Sequence, residues 1–251
     1  MAHFQQLQFV AMLARHMTAR WAGLVIVEIG SADVNGSIRP LFPGSQYTGV
    51  DLAPGPGVEL VGSGHDVALP SDSVDLAISC ECFEHNPMWR ETFVNMHRMT
   101  RPGGIVVFTC ASRGRLEHGT TRTRPFDSPS SLAIGWDYYR NLNPEDFEPL
   151  PLATMFDGHA FFRNEVSKDL YFAGRKTGAP GSLGLDLAAL RSELSAANTL
   201  VVSDRQDGTR LRRIINQPLK WAERLPDPAF QNFVIRWAVL EKSLRRVFGG
   251  K

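Results

Sequence analysis

Two acidic side chains at strand-like ends carry the first chemistry in this 251-residue chain. Val25-Ile26-Val27-Glu28-Ile29-Gly30 reads as a buried strand that ends in an acid and a glycine. Tyr47-Thr48-Gly49-Val50-Asp51 reads as the next strand and also ends in an acid. In an open α/β sheet, ligands sit beyond the carboxyl ends of the strands. Glycine lets the backbone approach a ligand closely. A carboxylate at the tip of the second strand accepts a hydrogen bond on each oxygen, which suits the two hydroxyls of a ribose. The pairing predicts a pocket for an adenosine-containing cofactor.

Two such cofactors compete, a nicotinamide dinucleotide and S-adenosylmethionine. The dinucleotide fingerprint is G-x-G-x-x-G opening a helix that holds the pyrophosphate. The turn here is Gly30-Ser31-Ala32-Asp33-Val34-Asn35-Gly36, without the second glycine and with Asp33 where the pyrophosphate would lie. An anion there opposes phosphate and accepts a cationic sulfonium or ammonium. Glu28 adds a second acid beside the turn. Both Glu28 and Asp51 also read as ordinary strand-end acids.

The landmarks that follow keep a fixed order. Val58-Glu59-Leu60-Val61 reads as a short third strand, followed by His65-Asp66-Val67-Ala68-Leu69-Pro70. Asp72 to Cys80 reads as a turn and a fourth buried strand, ending at Glu81-Cys82-Phe83-Glu84-His85. Arg101-Pro102-Gly103-Gly104 reads as a tight turn, and Ile105 to Cys110 as a fifth strand. Over residues 24 to 110 this series resembles the class I S-adenosylmethionine-dependent methyltransferases, in particular those acting on small molecules. One departure is the glycine-rich turn, reduced to Gly30 alone. The resemblance implies a Rossmann-like α/β fold: a seven-stranded, mostly parallel sheet with an antiparallel last strand and helices on both faces. It implies S-adenosylmethionine as cofactor and S-adenosylhomocysteine as product. It implies Gly30 and Ser31 against the methionine part, with Glu28 and Asp33 nearby. Asp51 would take the ribose, Leu52 would wall the adenine, and His65, Asp66 and Val67 would border it. Cys80 and Glu81 would pass beneath the sulfonium.

Methyl transfer asks a protein chiefly to align the acceptor and exclude water. A hydroxyl acceptor also benefits from a general base, and histidine is tuned for that near neutral pH. His85 follows the fourth strand, and His118 stands at the root of a long loop in Glu117-His118-Gly119. Both are candidate catalytic residues, against the alternatives of a helix brace and a loop hydrogen-bonder. The segment 111–151 has no regular pattern and leaves the end of the fifth strand, so it should form a lid over the pocket. Arg122, Trp136, Tyr138 and Tyr139 in this lid are candidate substrate contacts. Arg113, Arg115, Arg122 and Arg124 offer forked donors for an anion or simply solvate the loop. A divalent metal held by Glu117, His118, Asp137 and His159 is conceivable but not favoured, so no metal ligand is assigned.

The elements that position these residues follow from periodicity. Phe4, Leu7, Val10, Leu13, Ala14, Met17 and Trp21 recur at helical spacing. Helices are predicted at Asn35 to Phe42, Pro87 to Met99 and Phe147 to Met155. His159 to Glu165 and Lys168 to Gly174 read as a terminal hairpin. The methyltransferase unit is placed at 1–177. Residues 178–251 form a helical, basic extension that begins with a Gly/Pro linker and a weak helix over Leu185 to Leu194. Phe230, Phe233, Val234, Trp237, Leu240, Leu244 and Val247 form its apolar stripe, for the core, a homodimer or a membrane surface.

Composition narrows the classes. Hydrophobic residues make up 43%, ordinary for a globular protein. No apolar run is long enough to span a bilayer, and the first residues lack a signal-peptide pattern. Three cysteines make no disulfide framework, so a reduced, cytoplasmic setting is expected. Net charge is +1, but Thr209 to Lys251 holds ten basic and three acidic residues, leaving 17 basic and 23 acidic elsewhere. The acidic core and the lack of an Asn/Asp-Pro-Pro-aromatic motif argue against a nucleic-acid substrate. The expected activity is O-methylation of a small-molecule or saccharide hydroxyl, with N-methylation second. A cofactor-binding scaffold without catalysis and a nicotinamide oxidoreductase are the readings from other classes.

Overall fold

The computed structural model describes residues 4–17, 23–34, 36–178, 183–205 and 217–248. β1 (Val25–Ile29) lies between β2 (Gln46–Asp51) and β4 (Val74–Cys80), parallel to both. β3 (Leu60–Val61) extends the sheet beyond β2. β5 (Thr100–Ala111) pairs parallel to β4, and β7 (Asp169–Lys176) pairs antiparallel to β5. β6 (Phe156–Asn164) closes the far edge against β7. The order is β3-β2-β1-β4-β5-β7-β6, a seven-stranded Rossmann-like sheet with β7 antiparallel to its neighbours. β-branched and aromatic residues recur in these strands, because such side chains pack well on a pleated surface.

Alternation along the strands divides the core in two. Leu76, Ile78, Ile105 and Val107 point to one face, where they meet Phe9 and Leu13 of α1 (Phe4–Arg15). Ala77, Val106 and Phe108 point to the other, against Phe93 and Met96 of α2 (Trp89–Met99). In α1, Phe4 is 70% exposed and Phe9 stacks on Tyr171 at 4.4 Å, so the buried stripe is rotated from the predicted one. Trp21 lies outside the described residues, as do 179–182 of the predicted linker.

Three local expectations are corrected. The helix predicted from Asn35 to Phe42 is only one 3-10 turn, Arg39–Leu41. Gly36 at φ 116°, with Pro40 and Pro43, leaves no run able to carry α-helical hydrogen bonds. Arg101-Pro102-Gly103-Gly104 is a bulge inside β5 rather than a turn before it, with the register shifting between Val74 and Leu76. The helix predicted from Phe147 to Met155 divides into a 3-10 turn at Pro144–Phe147 and α4 (Leu152–Met155), separated by Pro151.

The lid leaves β5, carries α3 (Pro129–Ala133) and returns to β6. α5 (Leu187–Arg205) reaches further than the weak helix expected and buries Leu190 and Leu194 beside Phe9. Its Glu193 pairs with Arg15 and with His16 Nε2 at 2.6 Å. α6 (residues 217–222) and α7 (Asp227–Phe248) share a small cluster of Ala222, Phe230 and Val234. The α7 N-terminus braces the lid: Asn141 Nδ2 donates to Asp227 at 2.7 Å, and Gln231 accepts from Glu117 N at 2.9 Å. Leu240 is exposed, and the side chains of Leu244 and Val247 lie outside the described residues. Among the described residues no helix is long and apolar enough to cross a membrane.

Candidate active site

The strand order reverses at β1, so the loops leaving β1 and β4 diverge and open a cleft beyond their carboxyl ends. Gly30 holds its floor at φ +79°; a Cβ there would lie 2.7 Å from the Cβ of Cys82. Gly30 N and Ser31 N both donate to Val50 O, at 2.9 and 3.1 Å, which ties the turn to β2. Asp51 faces this turn. Its Oδ2 accepts from Ala32 N at 3.0 Å and its Oδ1 from Leu52 N at 2.8 Å. Each oxygen keeps a further lone pair for a ligand. Among the described residues between the turn and β2, the only helical element is the Arg39–Leu41 turn, so no α-helix opens directly after the Gly30 turn there.

The cleft encloses about 630 Å³, including its open mouth. Of the residues singled out in the sequence, Gly30, Asp51, Leu52, Glu81, His85 and Trp136 line it. Gly62-Ser63-Gly64, Cys82, Asn86 and the lid stretch 127–131 complete the wall and were missed. The paired glycines directly after β3 were the readable signal for the first group. The lid stretch offered none.

Other candidates sit behind or beside this wall. Glu28 is buried beneath the turn and accepts from Tyr47 Oη at 2.7 Å; burial raises its carboxyl to about 7. It shares a separate small cavity with Ser31 and Cys80, whose thiol burial pushes up. Asp33 turns outward and accepts from Gly36 N at 2.7 Å. His65 spans Ser63 Oγ at 2.6 Å and Asp66 at 3.0 Å, and its ring stacks near Trp136 at 6.2 Å. The Asp66 side chain is 76% exposed, and Val67 packs into the core. Burial pushes the Cys82 thiol up to about 12, and none of the three cysteines is paired.

On the β4 side, burial dominates. Glu84, His85 and His118 come together beside the cleft, with the two imidazole rings 4.9 Å apart and edge-on. Tyr139 closes over both rings at 5.5 and 5.1 Å. Burial, then the neighbouring His118, lowers His85 to about 3. Burial likewise lowers His118. Burial, then Glu81, raises the Glu84 carboxyl to about 8. Both imidazoles are therefore neutral at physiological pH. His118 Nδ1 donates to Leu116 O at 3.0 Å, which leaves Nε2 with its lone pair.

The remaining lid candidates are occupied elsewhere. Arg122 Nε donates to Glu117 at 2.8 Å and its Nη1 to Asn232 at 3.0 Å, away from the cleft. Arg124 pairs with Asp127 at 3.1 Å and Arg115 with Asp169 at 3.4 Å. Tyr138 and Tyr139 border a second cavity between the lid and the start of α7. The metal grouping Glu117, His118, Asp137 and His159 does not assemble. Glu117 is held by Arg122 and Thr120, Asp137 by Thr121, and His159 stands on β6 beside Phe156. His118 meets Glu84 and His85 instead.

Residues 27–108 match the methyltransferase domain family, a span running from β1 through most of β5. The resemblance read from the sequence holds over this span. No curated protein matches the sequence. Among solved structures, the chain is similar to the 1,6-didemethyltoxoflavin-N1-methyltransferase of Burkholderia thailandensis. The identity is 18% and the TM-score 0.47, over 68% of this chain and 77% of that one. It is similar to phosphoethanolamine N-methyltransferase 2 of Haemonchus contortus at 18% identity and a TM-score of 0.49, over 68% and 53%. An S-adenosylmethionine-dependent methyltransferase of Mesorhizobium loti aligns at 17% identity and a TM-score of 0.45, over 67% and 96%. The fold assignment stands on the strand order rather than on these likenesses.

Proposed function

We propose that the chain is an S-adenosylmethionine-dependent methyltransferase acting on a hydroxyl of a small molecule or saccharide. The observation that carries this is Asp51, held at the β2 tip against the Gly30 turn with a lone pair free on each oxygen. That geometry receives the two hydroxyls of a ribose. Leu52 lies beside it as an apolar wall for the adenine. A pyrophosphate fits poorly. Among the described residues it would find no α-helix opening after the Gly30 turn, and it would meet Asp51 and Glu81 on the cleft wall. The same acids favour a cation. When bound, S-adenosylmethionine supplies a methyl group activated on a cationic sulfonium.

The rest of the site aligns an acceptor. His85 borders the cleft and His118 stands behind it, both neutral and both close to where an acceptor hydroxyl must lose its proton. Trp136 presents a flat face near His65, suited to a sugar or aromatic ring. The lid excludes water. In this reading residues 1–177 hold the cleft, and residues 178–251 stabilise its lid through α7. The unpaired cysteines fit a reducing compartment.

Calorimetric titration with S-adenosylhomocysteine tests the reading. Wild-type protein is expected to bind with micromolar affinity, and Asp51→Ala at least ~30-fold more weakly. No binding by the wild type would sink the assignment. Binding without turnover across hydroxyl and amine acceptors would favour the scaffold reading. Turnover of amines alone would move the acceptor from oxygen to nitrogen.

A further inference from the structure

We propose that Glu84, His85 and His118 form a binding site for a first-row divalent metal ion at the acceptor side of the cleft. One donor atom from each residue lies within 4.8 Å of the others. Donors on a shared ion with bonds of about 2.1 Å stand roughly 3 to 4 Å apart, so small side-chain rotations close the set. All three side chains are buried: Glu84 is 0%, His85 5% and His118 8% exposed.

Two further observations point to a ligand. Neither carboxyl oxygen of Glu84 has a hydrogen-bond partner, nor does Nδ1 of His85. Buried polar atoms are nearly always partnered, and the three residues that carry them or stand beside them converge on one place. The histidines are also oriented as metal ligands are. A ligating histidine anchors its other ring nitrogen on a carbonyl or carboxylate, which fixes the tautomer. His118 Nδ1 is anchored on Leu116 O at 3.0 Å, and the His85 ring is hydrogen-bonded to the Tyr138 backbone. Gly119, at φ +66°, lets the loop approach closely; a Cβ there would lie 2.6 Å from His85 Cε1.

Two imidazoles and one carboxylate suit Zn²⁺, Mn²⁺, Fe²⁺ or Co²⁺, whereas Ca²⁺ takes about six to eight oxygens. Three protein ligands leave positions open, as catalytic metal sites do. An acceptor oxygen in an open position would be oriented and made more acidic. That role rests on the methyl-transfer reading; the site itself rests on geometry alone.

The test uses the full chain, stripped by chelation and dialysed, with no cofactor present. Co²⁺ is titrated with detection of its visible d–d band, and Zn²⁺ by calorimetry. The expected result is one equivalent per chain, with affinity at least ~100-fold weaker in Glu84→Gln and in His118→Ala. No saturable binding by the wild type overturns the proposal, as does undiminished binding by both variants. If a variant melts without cooperativity, imidazole ¹⁵N resonances of the wild type decide. Zn²⁺ must shift those of two histidines at one equivalent, and the absence of shifts overturns the site. A parallel S-adenosylhomocysteine titration separates the readings. Cofactor binding without metal binding removes the metal site alone, and metal binding without cofactor binding removes only its role in methyl transfer.

Discussion

Two carboxyl groups flank one cleft in opposite circumstances. Asp51, on the β1–β2 side, takes a backbone N–H on each oxygen. Glu84, on the β4 and lid side, is fully buried and takes none. A carboxylate fixed by main-chain donors is already aimed, so a ligand meets it at little cost in reorganisation. A carboxyl buried without partners gains much from any cation that joins it. In the proposed reading the first side holds a ligand in place and the second acts on one. They differ because one is made from neighbouring strands and the other from a strand end and a distant loop.

The sharpest test of that division is His118→Ala. Turnover should fall ~10³-fold, about 4 kcal/mol of transition-state stabilisation, while affinity for S-adenosylhomocysteine changes less than ~threefold. Single-turnover kinetics beside calorimetry separate the two. A loss of cofactor affinity equal to the loss in rate would abolish the distinction between the sides.

Behind the β1 side, Glu28 links the cleft to stability. Burial raises its carboxyl from 4.5 to about 7. The folded state then binds a proton that the unfolded state releases between those values. Its stability is greatest below pH 4.5 and declines as pH rises to about 7, by about 3 kcal/mol. Glu28→Gln keeps an acceptor for Tyr47 and removes the titration. In urea unfolding its advantage over wild type should grow from pH 5 to 7.5 and then level off. A difference independent of pH would show that Glu28 is not held out of water.

Asp51→Ala comes next, with a ~30-fold or greater loss of affinity, about 2 kcal/mol, and a smaller change in the turnover of saturated enzyme. Trp136→Ala should have the smallest effect. A rise in acceptor KM of ~fivefold with cofactor affinity intact would place the tryptophan on the acceptor's path. A change in cofactor affinity alone would move it to the adenine side.

The same division marks what could be read from the sequence. β1 and β4 are buried runs followed by Gly30 and Glu81, β2 ends in Asp51 and β5 is a long apolar run, and local pattern was enough to find them. Gly30 and Asp51 followed from their places at strand ends. The helix expected from Asn35 failed because Gly36, Pro40 and Pro43 outweighed its spacing. Glu84 and His85 were visible as neighbours, but the meeting of Glu84 with His118 depends on a loop returning from β5. No periodicity encodes that contact. The pairing of Arg122 with Glu117 is made by the loop's own curl, which the sequence pattern does not show. Pairing the histidine loop with α7 through Gln231 and Asp227 was equally invisible, since the partners lie 114 and 86 residues apart in sequence.

The placement of β7 between β5 and β6 has a consequence for how this protein can change. The lid departs from β5 at Ala111 and rejoins the sheet at Phe156, on the strand beyond β7. Its two ends are thus pinned roughly 25 Å apart, two strand spacings across the sheet and the length of β7 from Asp169 to Lys176 along it, whatever lies between them. Loop-closure entropy grows only with the logarithm of length, so doubling the lid would cost the fold just ~0.6 kcal/mol. Insertions there could reshape the lid wall of the cleft while Gly30 and Asp51 stay where they are. The sheet edge acts as a fixed socket, and the lid wall of the cleft can change without rebuilding the Gly30 and Asp51 side.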